Sequence, residues 1–233
     1  VNPEWSTAYD DLKVYDRVLS PSEILAAYEK YIPPKTVVRK PLATVPAILP
    51  IACPVPENKL NETFFATVKV TYDANNLVLD FNVPTPGGKY TITTRDGELW
   101  TNDAVEFHVI GGDGRQRQFI VNPSGALYDS LQGDPKWNSH VKVSAKRLGK
   151  NWTAHLEIPL ADLGGGKTFQ ANFGTSNPEI QHNTYTWSAL HGHTGFADKN
   201  YFGTLVLGAK SEEVALTSLG DLRAGHLDIQ YEA

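Results

Sequence analysis

The chain has 233 residues, 41% hydrophobic and 20% charged, enough apolar content for one sizeable core or two small ones and too much for a disordered chain. The formal net charge of −5 is spread in both signs, with no run of lysine and arginine able to neutralise a series of phosphates, which argues against nucleic acid and for an uncharged or weakly charged ligand. No apolar stretch reaches the roughly 20 residues needed to span a bilayer, since the most apolar, Ala43 to Ile51, is broken by Pro46 and Pro50.

Between Ala8 and Arg17 the positions Leu12, Val14 and Tyr15 predict a strand. Ser20-Pro21-Ser22-Glu23 then has the form of a helix start, with Ser20 as cap, Pro21 at the first helical position and Glu23 closing a capping box. Ile24, Leu25, Tyr28 and Tyr31 give that short helix one apolar stripe, but one strand and one helix cannot bury a core. From Ile32 to Pro56 recurrent prolines fix torsions and remove donors, so the stretch reads as an extended linker leading into an edge strand.

From Thr63 the period becomes two. Val68, Val70 and Tyr72, a turn at Asp73-Ala74-Asn75-Asn76, then Leu77, Leu79, Phe81 and Val83 predict a hairpin with one buried face. A second hairpin is expected from Val141 to Ile158 around Leu148-Gly149-Lys150-Asn151, and further strands at 104–110, 116–122, 168–173, 184–189 and 201–207. Many short strands punctuated by Gly and Pro imply an all-β protein, an antiparallel β-sandwich or barrel. After Gly208 a polar tether, Lys210-Ser211-Glu212-Glu213, precedes the opening strands of a following unit. The expected organisation is therefore a strand and helix over 1–32, a Pro-rich linker over 33–44, a β-sandwich over 45–208, and a tether with the start of another domain over 209–233. The absence of Met and of a leader at Val1 predicts that the chain begins inside a longer translated product. Cys53, the single cysteine, gives neither a disulfide framework nor a thiolate cluster and reads as a buried inert thiol. Two glycosylation acceptor patterns, at Asn61 and Asn151, carry almost no weight.

The run from Asp96 to Phe107 is the most informative. If it is extended, alternation places Trp100, Asn102, Glu106 and His108 on one face, with Val105, Phe107 and Val109 in the core. An aromatic platform beside a carboxylate suits a sugar, whose apolar C–H face stacks on a ring while its hydroxyls need hydrogen-bond partners. From spacing alone the alternative, Trp100 plugging a sandwich edge and Glu106 solvated, stands ahead of the sugar site.

The segments Val70-Thr71-Tyr72-Asp73, Asn76-Leu77-Val78-Leu79, Leu99-Trp100-Thr101-Asn102-Asp103-Ala104-Val105-Glu106, Gln118 to Ala126, Trp152 to Pro159, Asn172-Phe173, Thr186-Trp187-Ser188 and Phe202-Gly203-Thr204-Leu205 resemble, in order, the family 9 carbohydrate-binding modules, DOMON-like β-sandwiches of jelly-roll type attached to secreted bacterial enzymes. The resemblance implies a non-catalytic module in which Trp100 and Trp187 sandwich a terminal sugar and Glu106, six residues after the first Trp, bonds its hydroxyls. It adds Asn183 before the second Trp, and on the neighbouring strand Arg117, Gln118 and Asn122, of which Arg117 and Gln118 cannot both face the site because alternation separates them. The segment Ile48 to Lys59 lacks the Ile-Asp-Gly and Trp with which such modules open. The resemblance also raises structural calcium, for which Asp96, Asp103 and Asp113 are candidates, although Asp beside Gly is more often a turn former. The segment Tyr9 to Ile24 resembles the last strand and closing helix of laminin-G-like, concanavalin-type jelly rolls. Together these imply a secreted, multidomain parent protein, with carbohydrate and neighbouring domains as partners.

No catalytic constellation is evident. Asp103 and Glu106, the carboxylates a glycosidase would need, fall on opposite faces of a strand. His191-Gly192-His193 lacks a third metal ligand, Ser188 lacks a nucleophile elbow, and the absence of Met removes Met-ligated haem. The competing reading is a spacer or protein-interaction sandwich. It predicts Trp100 and Trp187 buried or far apart, whereas a sugar clamp predicts that they face one another.

Overall fold

The computed structural model describes residues 40–55, 66–84, 90–177, 184–191, 195–208, 215–218 and 230–232. The N-terminal strand and helix, linker positions 33–39, the Asn61 acceptor pattern, Asn183, His193 and the tether at 209–214 lie outside the described residues.

Two sheets face each other. The smaller comprises β2 (Ala47–Ile51), β4 (Ala66–Tyr72), β5 (Asn76–Val83), β9 (Lys142–Leu148) and β10 (Asn151–Pro159), in the order β2-β4-β5-β10-β9, antiparallel throughout. The larger follows the order β1-β13-β11-β6-β7-β8, with β1 (Leu42–Val45), β6 (Ala104–Ile110), β7 (Gln116–Val121), β8 (Leu127–Leu131), β11 (Thr168–Ser176) and β13 (Gly203–Leu207). Two short strands extend it, β12 (Thr184–Thr186) on β11 and β3 (Cys53–Val55) on β12, and β1 joins β13 in parallel. Strands β14 (Ala215–Ser218) and β15 (Gln230–Glu232) pair with each other as a separate ribbon. The fold is an antiparallel-rich β-sandwich, as the period-two pattern predicts.

The alternation explains the packing. Leu77, Leu79, Phe81 and Val83 of β5 lie beside Trp152, Ala154, Leu156 and Ile158 of β10, and all eight are buried. They meet Val105, Phe107, Val109, Phe119, Phe169 and Phe173 of the larger sheet in one cluster. Phe107 stacks between Phe119 and Phe173 at 6.0 and 5.0 Å, and Phe81 from the opposite sheet meets Phe173 edge-on at 6.1 Å. Burying a ring of this size stabilises by about 2–3 kcal/mol from area alone. The Asp73 carboxylate seeds the first hairpin by accepting from the backbone N–H of Asn75 and Asn76 at 2.7 and 2.8 Å, which also holds its pKa below the ordinary value.

Three elements depart from expectation. The sandwich starts at Leu42, inside the stretch expected as linker, because Leu42 to Val45 pairs in register with Thr204 to Leu207. β8 carries no hydrophobic alternation, since its middle inward position is Asp129, whose buried carboxylate accepts from Arg95 Nη2 and from the Ser139 N–H. Cys53 is half-buried rather than enclosed.

Candidate binding site on the outer face of the large sheet

Register across β11, β6, β7 and β8 fixes two rows on the outer face. One reads Gly174, Glu106, Ile120, Tyr128, and the next Asn172, His108, Gln118, Ser130. On most sandwiches such a face is wet, yet every residue of β6 before Ile110 is buried, because two loops fold over it.

The first loop carries Trp100. The run before β6 is not extended: Leu99–Thr101 forms a 3₁₀ turn, closed by the Asn102 N–H donating to the Leu99 carbonyl. Leu99 drops into a small cluster with Ala104, Ile120 and Ala126, and Trp100 consequently stands outside it, 47% exposed and edge-on to Tyr128 at 5.4 Å. Asn102 is fully buried, so it is not the exposed partner that alternation suggests. Its Oδ1 accepts from the Ile92 N–H and from Asn122 Nδ2.

Asn122 is a hub beneath this loop. Its Nδ2 donates to the Ile92 carbonyl at 2.7 Å, and its Oδ1 accepts from the Ser124 and Ala126 N–H groups and the Ser124 hydroxyl. With both ends occupied and the side chain buried, Asn122 positions the Trp100 loop rather than facing a ligand. Arg95 ties the same loop to β8 by two 2.7 Å bonds to Asp129.

Glu106 is 6% exposed, and its Oε2 lies 2.9 Å from Nε2 of His108, the next outward residue on β6. His108 is 1% exposed, flanked by Phe196 and Phe202 at 6.3 Å each, and its Nδ1 has no partner among the described residues. Of the neighbouring pair on β7, Gln118 faces outward beside His108. Arg117 turns the other way, with Nη1 and Nη2 on Asp113 at 2.6 and 2.8 Å and Nε on the Asp162 carbonyl. Arg117 is thus a buried structural cation. Its guanidinium holds the Asp113 carboxyl far below the usual carboxylate range.

The second loop supplies an aromatic that the sequence reading did not weigh. Phe196 lies against Gly174, where an added Cβ would come within 2.5 Å of the ring, so the missing side chain is what lets the ring settle beside the Glu106 row. A cavity of about 310 Å³ opens there, lined by Glu106, His108, Gln118, Ser176, Thr184 and Phe196. It adjoins a second of about 550 Å³ that shares Gln118 and adds Gln116, Ser130, Gln132 and Asn200. The only signal in the sequence is a lone aromatic within the polar run His193 to Lys199.

Trp187 is not part of this face. It is 8% exposed, belongs to the sandwich core, packs on Phe173 at 5.7 Å and fills the space over Gly203. The expected clamp of Trp100 and Trp187 is therefore not formed. The three Asp candidates for calcium do not converge: Asp113 is engaged by Arg117 and Arg115, Asp96 lies beside Arg95, and Asp103 is buried. No cluster of three metal-ligating side chains occurs among the described residues.

No protein-family model and no curated protein matches the chain. Solved structures do. A candidate carbohydrate-binding protein from Bacteroides uniformis ATCC 8492 superposes with a TM-score of 0.57 at 19% identity, over 70% of this chain and 86% of that one. A family 9 carbohydrate-binding module from Caldicellulosiruptor kristjanssonii, solved with cellotriose, gives 0.50 at 13% identity, over 69% and 83%. At these identities the likeness is one of fold: the chain shares the β-sandwich of these two proteins.

Proposed function

We propose that the sandwich is a non-catalytic carbohydrate-binding module that holds its sugar on the outer face of the larger sheet. The observation that carries the reading is the Glu106 carboxylate, fixed by His108 at the floor of a cavity whose wall is the Phe196 ring. A carboxylate held in this way accepts hydrogen bonds from sugar hydroxyls, Gln118 and Ser130 can both donate and accept, and the ring takes the C–H face. Trp100, edge-on to Tyr128, lies at the far end of the Glu106 row. Two strand spacings of about 4.8 Å put Tyr128 about 10 Å from Glu106, room for a further sugar unit. In this reading Phe196 takes the part first expected of Trp187. Hydrolysis needs a pair of carboxylates flanking one bond. Of the other acids nearby, Asp103 is buried, and Asp198 caps the 3₁₀ turn Lys199–Tyr201 by accepting from the Asn200 N–H. The likeness in fold to sugar-binding proteins supports the same reading. It extends to a secreted multidomain parent, with 1–32 as the end of a laminin-G-like domain.

One observation favours the competing spacer reading: Trp187 is core, so the two tryptophans do not face each other. Titration calorimetry and tryptophan fluorescence with a panel of neutral mono- and oligosaccharides separate the two. Sugar binding predicts saturable heats, weakened about 10- to 100-fold by Glu106→Gln, the loss of a charged hydrogen-bond acceptor. It also predicts a change in Trp100 emission that is absent in Trp100→Ala. Silence across the panel from the folded protein would establish the spacer.

A further inference from the structure

The outer face of the smaller sheet is built differently and has a groove of its own, about 520 Å³, lined by Ile48, Lys69, Asp80, Asn82, Lys146 and His155 among others. Register places Ile48, Lys69, Asp80, His155 and Ser144 in a single row across all five strands, and Thr67, Asn82, Thr153 and Lys146 in the next.

The charges in this groove are unevenly matched. Asp80 is hydrogen-bonded to His155, whose Nδ1 lies 2.7 Å from its carboxylate. Lys142, outside the groove, is matched by Glu157 at 3.0 Å. Lys69 and Lys146 form no ion pair among the described residues, and both line the groove. With two lysines against the one carboxylate of Asp80, the groove carries an excess of positive charge on a chain of net charge −5. Its remaining polar lining, the hydroxyls of Thr67, Thr153 and Ser144 and the amide of Asn82, can both donate and accept. Ile48, 69% exposed at the end of the row, offers an apolar contact.

We propose that this face is a second binding site, taking an acidic oligosaccharide whose uronic-acid carboxylates pair with Lys69 and Lys146. Unpaired ammonium groups select an anion, and the surrounding hydroxyls and amide select a ligand that also carries many hydroxyls. β4 and β9 are separated by β5 and β10, so the two lysines stand three strand spacings and one row apart, about 16 Å. One sugar cannot meet both, and the site requires an oligomer. Two lysines are too few to hold a nucleic acid by phosphate neutralisation. Because this face is the opposite side of the sandwich from Glu106, the proposal stands or falls apart from the neutral-sugar site.

The test is calorimetric titration of the 233-residue chain with trigalacturonate, beside a neutral trisaccharide, at low and at moderate salt. The expected result is saturable trigalacturonate binding at low salt, about tenfold weaker once the Debye length falls below 10 Å. It should weaken at least about tenfold in Lys69→Gln/Lys146→Gln, persist in Lys69→Arg/Lys146→Arg, and be unaffected by Trp100→Ala or Glu106→Gln. Lys69 and Lys146 are exposed, so their substitution leaves the fold intact, which thermal melting verifies for every variant. No binding at low salt, binding that survives Lys69→Gln/Lys146→Gln, or binding lost in Trp100→Ala instead would each overturn the assignment.

Discussion

Strands β6 and β10 are interior strands of the two sheets, and both put large apolar side chains into the same core. Their outward residues meet opposite fates. On β10, Thr153, His155 and Glu157 are half-exposed, and the latter two pair with neighbours on the same face: His155 with Asp80, Glu157 with Lys142. On β6, Ala104, Glu106 and His108 are buried under loops from residues 92–102 and 195–202. A strand's own alternation decides which residues face the core. Whether the other face is wet is decided by distant segments crossing over it. A carboxylate–imidazole pair on a bare face is a weak surface contact, whereas the same pair under a loop is a fixed hydrogen-bonding fixture.

The comparison can be broken most forcefully at the tryptophans. Trp187→Ala, in the core, should lower unfolding stability by about 3–5 kcal/mol in urea, while Trp100→Ala, on the surface, should cost less than about 1 kcal/mol. Equal losses would mean that Trp100 is a plug. Asn122→Ala should follow at about 1–3 kcal/mol, since it strands the Ile92 carbonyl and the Ser124 and Ala126 amides. It should also shift Trp100 emission, which an unrelated destabilising variant would not do below its transition. Gly174→Ala should come next, displacing the Phe196 ring and weakening neutral-sugar binding about tenfold with little change in urea midpoint, since the clash is with a loop side chain.

Acid titration sharpens the same contrast. Asp113 carries a folded pKa well below its ordinary 3.8, chiefly because the Arg117 side chain donates to it. Its stabilising contribution is therefore complete above the unfolded value and disappears as pH falls through and below it. Urea midpoints should drop between about pH 5 and pH 2, and the drop should be smaller in Asp113→Asn. On the opposite face His155 is raised, first by its hydrogen bond to Asp80, so its contribution is full below the unfolded histidine value and fades as pH rises through the folded one. Asp80→Asn should reduce that loss, leaving the smaller part that Glu157 contributes.

Much of the sandwich was legible in the sequence, because a strand with one apolar side announces itself: both hairpins, at 66–83 and 142–159, follow directly from alternation. β8 was not legible, since Asp129 occupies an inward position and its partner Arg95 comes from 34 residues earlier. Of the site, Glu106 and Gln118 face the cavity as their strand periods require, and Arg117 takes the opposite side for the same reason. The burial of Trp187 is not legible in the sequence because it depends on Phe173 and Gly203, neither of them a sequence neighbour. Phe196 escaped notice because nothing in its loop predicts that a glycine, Gly174, will lie beneath it.

The saturated amide of Asn122 has one further consequence, in time rather than in energy. Because its bonds to Ile92, Asn102, Ser124 and Ala126 are all made within the protein, the Trp100 loop is held in one shape without a ligand. Encounter then requires no ordering of the loop, so association should proceed without a slow conformational phase. On the proposed function, sugars of differing fit should be told apart by how long they stay rather than by how fast they land.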